Sequence, residues 1–197
     1  MGTVSLPSVG GVATTVIPTD IRALNHVELV YAPGERPLAR ALFELLGFDV
    51  RDSGGPFLTG MIENGQGDFA HNALYASEVT PEQWALEQAL RAAIDGGALA
   101  APTAEYTANL REHPQRSCHF GIRYPTVDDH EAALDRITHV EDHAPDLVGR
   151  VTLSGVFRPG DPGSYTDTMT QAFVRTDVIA SGLLAFGQHI ELQWQVP

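Results

Sequence analysis

The stretch Gly187-Gln188-His189-Ile190-Glu191-Leu192-Gln193-Trp194, close to the end of the chain, is the starting point for the fold. Polar and apolar residues alternate in it: His189, Glu191 and Gln193 fall on one side, and Ile190, Leu192 and Trp194 on the other. A strand shows this period of two when one face packs on a core and the other meets water or a polar cavity. The pattern therefore predicts a strand that projects the Glu191 carboxylate from its polar face.

Two other strand-like stretches each carry a histidine in a similar setting. His26 lies within residues 24–30, and His119 lies within residues 117–123. Two histidines and one carboxylate can hold a divalent metal and leave coordination positions open. The central question is whether His26, His119 and Glu191 meet.

Composition sets broad limits on the function. A chain of 197 residues can form one substantial domain or two small modules that share a core. The net charge of −13 argues against nucleic acid as a partner, and no apolar run is long enough to span a membrane. Cys118 is the sole cysteine, which excludes an internal disulfide and a cysteine-based zinc site. Because the start of the chain lacks the features of a secretory signal, we expect a cytoplasmic protein.

The order of predicted elements is repeated along the chain. The first half gives a strand at 23–31, a helix from Pro37 that ends before Gly47, and strands at 48–51, 57–62 and 69–76. The second half gives a strand at 117–124, a helix at 127–137, and strands at 148–157, 168–177 and 184–194. Between them, Thr80-Pro81 predicts the start of a helix that runs to Ile94, and residues 98–116 form a connector of undefined structure.

Local similarities support an internal repeat. Residues 24–27 align with 117–120 at an offset of 93, which places His26 opposite His119. Residues 70–74 align with 188–192 at an offset of 118, which places His71 opposite His189 and Ala73 opposite Glu191. Repeats of this kind indicate a duplicated structural unit. We predict an N-terminal arm at 1–21, a first βαβββ module at 22–78, a helical linker at 79–116 and a second βαβββ module at 117–197, with 22–197 as one structural domain.

Three motifs carry a resemblance to a known family: Asn25-His26-Val27-Glu28-Leu29, the helix end Phe43-Glu44-Leu45-Leu46-Gly47-Phe48, and His189-Ile190-Glu191-Leu192. Over about residues 22–195 the chain resembles the vicinal oxygen chelate superfamily, which includes glyoxalases, bleomycin- and fosfomycin-resistance proteins and type I extradiol dioxygenases. The resemblance implies an α+β fold in which two tandem βαβββ modules form a cupped mixed sheet around a metal site.

The resemblance also implies a set of metal ligands. His26 and His119 correspond to ligands on the first strand of each module, and Glu191 corresponds to the ligand on the final strand. Glyoxalase-like proteins have a second glutamate where this chain aligns Ala73, which cannot bind a metal. The remaining 2-His-1-carboxylate set suits Fe(II), with Mn(II), Zn(II) and Ni(II) as alternatives.

Roles for further residues follow from the comparison with extradiol dioxygenases. These enzymes carry an acid–base histidine on the fourth strand of the first module, and His71 corresponds to it. Their tyrosine on the strand before the final glutamate has no counterpart in residues 170–175. His189 shares the strand face of Glu191 and could contact substrate, while Arg123 and Arg175 are candidates to bind a substrate carboxylate. An arginine such as Arg123 could also compensate the charge of Glu191 in place of a metal.

Three functions remain open from the sequence. The leading hypothesis is an oxidoreductase that resembles an extradiol ring-cleaving dioxygenase and binds a catechol-like small molecule. The second is a metal-dependent isomerase, epimerase or lyase of glyoxalase type, and the third is a non-catalytic binding protein of the drug-resistance type. The usual assembly of superfamily members and the predicted N-terminal arm both lead us to expect a homodimer.

Overall fold

The structure is a computed structural model and describes residues 24–63, 65 and 72–195. The predicted arm at 1–21 and the predicted acid–base residue His71 lie outside the described residues. Within them the strands are β1 His26–Tyr31, β2 Asp49–Arg51, β3 Phe57–Met61, β4 Ala73–Glu78, β5 His119–Arg123, β6 Val151–Phe157, β7 Met169–Thr176, β8 Ile179–Ala180 and β9 Gln188–Gln195. The α-helices are α1 Arg36–Leu45, α2 Pro81–Ile94, α3 Ala100–Glu112, α4 Val127–Thr138 and α5 Val140–His143.

The strands form two sheets with equivalent connections. The first sheet has the order β2-β3-β4-β1-β8, and the second has the order β5-β9-β7-β6. In each sheet the opening strand of that half pairs in parallel with its last long strand, β1 with β4 and β5 with β9. The remaining pairs are antiparallel. The predicted α+β class is confirmed.

One face of each sheet packs against a helix and builds a shared core. Leu29 and Leu74 of the first sheet are buried in the same cluster as Phe43 of α1. Ile190 and Leu192 of the second sheet join that cluster together with Leu134 of α4, and they alternate with polar residues along β9. His26, His119, His189 and Glu191 have the opposite parity along their strands. The candidate residues therefore occupy the faces turned away from helices α1 and α4.

The helices between the two halves were predicted only in part. Helix α2 begins and ends as expected, and Thr80 caps it by accepting a hydrogen bond from the backbone N–H of Gln83 at 3.2 Å. Helix α3 lies in the connector for which the sequence predicted no structure. Within α3 only Leu110 is buried, so the stretch lacks the apolar period that identifies a helix packed on a core.

The strand register corrects the alignment of the two halves. His26 pairs with Ala73 and Glu28 with Tyr75 in the first sheet, whereas Gly121 pairs with Glu191 in the second. Because His26 and His119 are equivalent, the residue equivalent to Glu191 is Tyr75, and the predicted equivalence with Ala73 is wrong. A shift of two residues keeps every side chain on the same face, so the alternating pattern could not detect it.

The two halves also share structural contacts. Strand β8 belongs to the second half of the chain but pairs with Val30 and Tyr31 of β1 in the first sheet. Close to this junction, Arg150 contacts Glu35 at 3.0 Å and Asp177 at 2.5 Å. The halves are therefore joined by backbone pairing as well as by the shared core.

Among the described residues, no helix combines the length and the apolar character needed to cross a membrane.

Candidate metal centre

Two of the three predicted ligands meet on the second sheet. His119 lies on β5 and Glu191 on its parallel neighbour β9, and the His119 Nε2 atom is 3.2 Å from the Glu191 Oε2 atom. The His119 side chain is 23% exposed and the Glu191 side chain 5% exposed. The pair therefore lies at the border between the protein interior and solvent, where a ligand can reach the histidine.

The second nitrogen of His119 shows what the pair requires. Its Nδ1 atom lies 2.8 Å from the backbone carbonyl oxygen of Ser117. A carbonyl oxygen only accepts hydrogen bonds, so Nδ1 carries a proton and Nε2 is the ring atom that faces Glu191. Two acceptors 3.2 Å apart repel each other unless a proton or a cation lies between them. Metal-binding histidines commonly have this arrangement, with the other ring N–H donated to a carbonyl.

The other carboxylate oxygen of Glu191 has its own donor. The side-chain amide of Gln171 on β7 donates a hydrogen bond from Nε2 to Glu191 Oε1. The amide oxygen of Gln171 is buried and has no hydrogen-bond partner within the described part of the chain. Gln171 thus fixes one oxygen of Glu191 while the second oxygen faces His119.

Gly121 gives the carboxylate room. It pairs with Glu191 across β5 and β9, and a Cβ atom at this position would lie 3.3 Å from Glu191 Oε2. Such an approach is closer than an ordinary van der Waals contact, so a larger residue would displace the carboxylate or its neighbours. Neither Gln171 nor Gly121 was predicted from the sequence to be part of the site.

The geometry of the pair fits two coordination positions of a divalent metal. Two adjacent ligands that each lie about 2.1 Å from a metal are about 3 Å apart, which matches the Nε2–Oε2 separation. Imidazole nitrogen and carboxylate oxygen are also suitable ligands for Fe(II), Mn(II) and Zn(II). The residues present therefore fit a metal as a two-ligand half-site.

The structure does not bring His26 to this pair. His26 is exposed on β1, its ring meets that of Tyr75 edge-on at 5.2 Å, and its Nδ1 atom lies 2.6 Å from Asn25 Oδ1. Throughout residues 24–63, 65 and 72–195, no group of three His, Cys, Asp or Glu side chains is placed to hold one metal ion. The role of His26 as third ligand stays a prediction.

His189 lies beside the pair, but its side chain is buried and contacts the protein rather than solvent. It is 3% exposed, it is the register partner of His119, and its Nε2 atom lies 3.2 Å from the Ser154 hydroxyl oxygen. Burial lowers the pKa of His189 to about 4, and the positive charges of Arg175 and His119 act in the same direction. His189 is therefore neutral at neutral pH, and its predicted contact with substrate stays a prediction.

The two predicted substrate arginines have different surroundings. Arg175 donates a hydrogen bond from Nη1 to the backbone oxygen of Phe186 at 3.2 Å. Arg123 is exposed and lines a cleft of about 700 Å³ that also reaches Gly121. This cleft lies between the end of α1, the edge strand β5 and helix α4. Of the candidate centre, only Gly121 lines this cleft, so the predicted role of Arg123 with a substrate stays a prediction.

Comparisons with known proteins add little. No protein-family model matches the chain, and no curated protein matches it. Among solved structures, the chain is similar to one described as "Oxidase ChaP-H2", with a TM-score of 0.40 and 16% sequence identity over 89% of this chain and 94% of that chain. The function must therefore be inferred from the residues of the chain itself.

Proposed function

We propose that the chain is a metal-dependent enzyme of vicinal oxygen chelate type, which binds a catechol-like small molecule through two adjacent oxygens and resembles an extradiol dioxygenase in its chemistry. The observation that carries this proposal is the approach of His119 Nε2 to Glu191 Oε2 at 3.2 Å. With His119 Nδ1 directed at the Ser117 carbonyl oxygen, Nε2 faces Glu191 Oε2, and a metal cation between the two atoms would bind both. The repeated strand order of the two sheets supports the proposed pair of βαβββ modules.

In this proposal His119 and Glu191 hold a divalent metal, Fe(II) in the first place, with Mn(II), Zn(II) and Ni(II) as alternatives. His26, which this structure does not bring to the pair, is the proposed third ligand because it holds the same position in β1 that His119 holds in β5. A bound metal of this kind acts as a Lewis acid and lowers the pKa of a coordinated hydroxyl group. Tyr75 stands where glyoxalase-like sites have a second glutamate, so the proposed set contains one carboxylate and leaves positions for substrate.

Two further residues, Arg123 and His71, are proposed to bind the substrate and to transfer its protons. Arg123, on the cleft side of β5, binds an acidic group of the substrate through charge-assisted hydrogen bonds. His71 transfers protons between substrate and solvent, for which an imidazole is suited near neutral pH.

One observation favours a second candidate function, a binding protein that holds a small molecule without chemistry. The described residues bring together two ligand side chains rather than three. Such a protein would bind its ligand in the 700 Å³ cleft with no need for a metal.

Oxygen dependence separates these functions. The full-length protein is loaded anaerobically with Fe(II), mixed with a panel of catechols and exposed to oxygen, while absorbance follows ring-fission products. We expect turnover that starts on admission of oxygen and is lost in His119→Ala and Glu191→Gln, but is kept in the control Glu105→Gln on the exposed face of α3.

Other outcomes identify the alternatives. Metal-dependent turnover without oxygen would assign the isomerase, epimerase or lyase chemistry. Ligand binding that needs no metal and gives no turnover would assign the binding protein and contradict the proposal.

A further inference from the structure

We infer that Gln171 is the positioning residue that holds Glu191 in its metal-binding orientation. This inference rests on the proposed metal site and adds a residue that the family resemblance does not assign. Gln171 sits on β7, where the strand residue opposite Glu191 is Phe173 and the one opposite Gln171 is Gln193. The glutamine side chain therefore reaches Glu191 diagonally across two antiparallel strands, a distance that long side chains can span.

The hydrogen bond selects which carboxylate oxygen is left for the metal. Gln171 Nε2 donates to Oε1, and Oε2 is the oxygen that faces His119 Nε2. Gly121 keeps the space beside Oε2 clear, since a Cβ there would lie 3.3 Å away. One oxygen is thus held and the other is directed at the histidine. Outer hydrogen bonds of this kind orient metal ligands, and their loss typically weakens metal binding about 10- to 100-fold.

Donating its amide N–H to Glu191 leaves Gln171 with an amide oxygen that is unpaired within the described part of the chain. Its amide oxygen is buried and lacks a hydrogen-bond partner among the described residues. Turning the amide over would place that oxygen against the Glu191 carboxylate and lose the donated hydrogen bond. A buried carboxylate oxygen without a donor is more unfavourable than a neutral amide oxygen without one, so the amide turns its N–H toward Glu191. The arrangement is explained by the demand for a donor at Glu191 Oε1.

The test is a titration of the full-length protein with Co(II), whose absorption reports its coordination, together with urea unfolding of the metal-free protein. Gln171→Met keeps the length of the side chain and removes the donor. The matched control is Gln195→Met, since Gln195 is exposed at the end of β9, four residues beyond Glu191 on the same face, and pairs with Met169. We expect Gln171→Met to weaken Co(II) binding about 10- to 100-fold and Gln195→Met to leave it within about twofold.

A second variant guards against misfolding. Gln171→Asn keeps an amide but shortens the side chain, and we expect it to weaken Co(II) binding as well. If either folded Gln171 variant binds Co(II) as tightly as the wild type, the positioning role is wrong while the proposed metal site stands. If the wild-type protein binds no Co(II), the proposed function fails and the positioning role fails with it.

Discussion

At the residue scale, the candidate centre depends on small groups around one carboxylate. Glu191 receives a hydrogen bond from Gln171, faces His119 and lies over Gly121. His119 is in turn fixed by the Ser117 carbonyl oxygen. Each contact restrains a different atom, so single substitutions can test them separately.

Replacing Gly121 with alanine should weaken metal binding with little loss of stability. The new Cβ atom would lie 3.3 Å from Glu191 Oε2 and Gln193 Nε2, which crowds the oxygen proposed to bind the metal. Gly121 is exposed and adopts an ordinary strand conformation, so the backbone accepts alanine. Metal titration of Gly121→Ala, with thermal unfolding as the control, checks this. Unchanged metal affinity would show that the space over Gly121 is not needed.

Stability should fall on acidification because of His130. This histidine is fully buried, its Nε2 lies 3.2 Å from the Leu192 carbonyl oxygen, and its Nδ1 has no hydrogen-bond partner in the described residues. Burial lowers the pKa of His130, partly offset by the Leu192 hydrogen bond. The unfolded chain therefore takes up this proton first, and the free energy of unfolding decreases as the pH falls below about 6.5.

The His130→Gln variant keeps a donor for Leu192 and removes the titration. Urea unfolding between pH 5 and pH 8 should show a smaller slope of unfolding free energy against pH in this variant than in the wild type, on the order of one protonation. Equal slopes would show that His130 does not control acid sensitivity.

The sequence predicted residue faces but not residue contacts. Strand parity correctly placed Glu191 and His119 on polar faces, because alternation depends only on the neighbouring residues. It missed Gln171 and Gly121, since their importance arises across strands whose register the sequence does not specify. The same lack of register produced the wrong pairing of Ala73, in place of Tyr75, with Glu191.

At the element scale, helix α2 is hydrogen-bonded to the segment that precedes β9. Glu87 is fully buried on α2 and accepts hydrogen bonds from the backbone N–H groups of Leu184 and Ala185 at 2.7 and 2.8 Å. These residues begin the short 3₁₀ turn Leu184–Phe186, which leads into Gln188. Glu87 therefore fixes the start of the strand that carries Glu191.

Removing the Glu87 charge should lower stability. We expect Glu87→Gln, which can still accept one hydrogen bond, to lower the free energy of unfolding by about 1–3 kcal/mol. Urea unfolding measures the change, and Glu105→Gln on the exposed surface of α3 serves as the matched control with a change below about 0.5 kcal/mol. A loss for Glu87→Gln no larger than the control's would contradict the anchoring role.

Sequence patterns predicted α2 but not α3, for a physical reason. Helix α2 has a capping threonine followed by proline, and these signals are local. Helix α3 has neither a side-chain cap nor a buried stripe, and its N-terminal boundary residue Leu99 makes no capping hydrogen bond. Elements whose signals are local can be read from the chain, and those defined by tertiary packing cannot.

At the scale of the whole molecule, the two halves are joined close to Arg150. This guanidinium contacts Glu35 before α1 and Asp177 after β7, and both contacts raise its pKa further above the usual range. The side chains of all three residues are partly exposed, so water and salt weaken the attraction.

Breaking this contact should destabilise the junction modestly. We expect Arg150→Met to lower the free energy of unfolding by about 1 kcal/mol at low salt and by less at high salt. The matched control is Arg158→Met, because Arg158 pairs with Glu131 within the second half and both are more exposed. Urea unfolding at two salt concentrations tests this, and equal losses for the two variants would show that Arg150 has no special role between the halves.

The most direct test of the metal site is anomalous diffraction at the absorption edge of the bound metal, using crystals of the metal-loaded full-length protein. The proposed site predicts a single anomalous peak at about 2.0–2.2 Å from both His119 Nε2 and Glu191 Oε2, with Gln171 still donating to Glu191 Oε1. A peak at other residues, or a direct His119–Glu191 hydrogen bond with no peak between them, would contradict it.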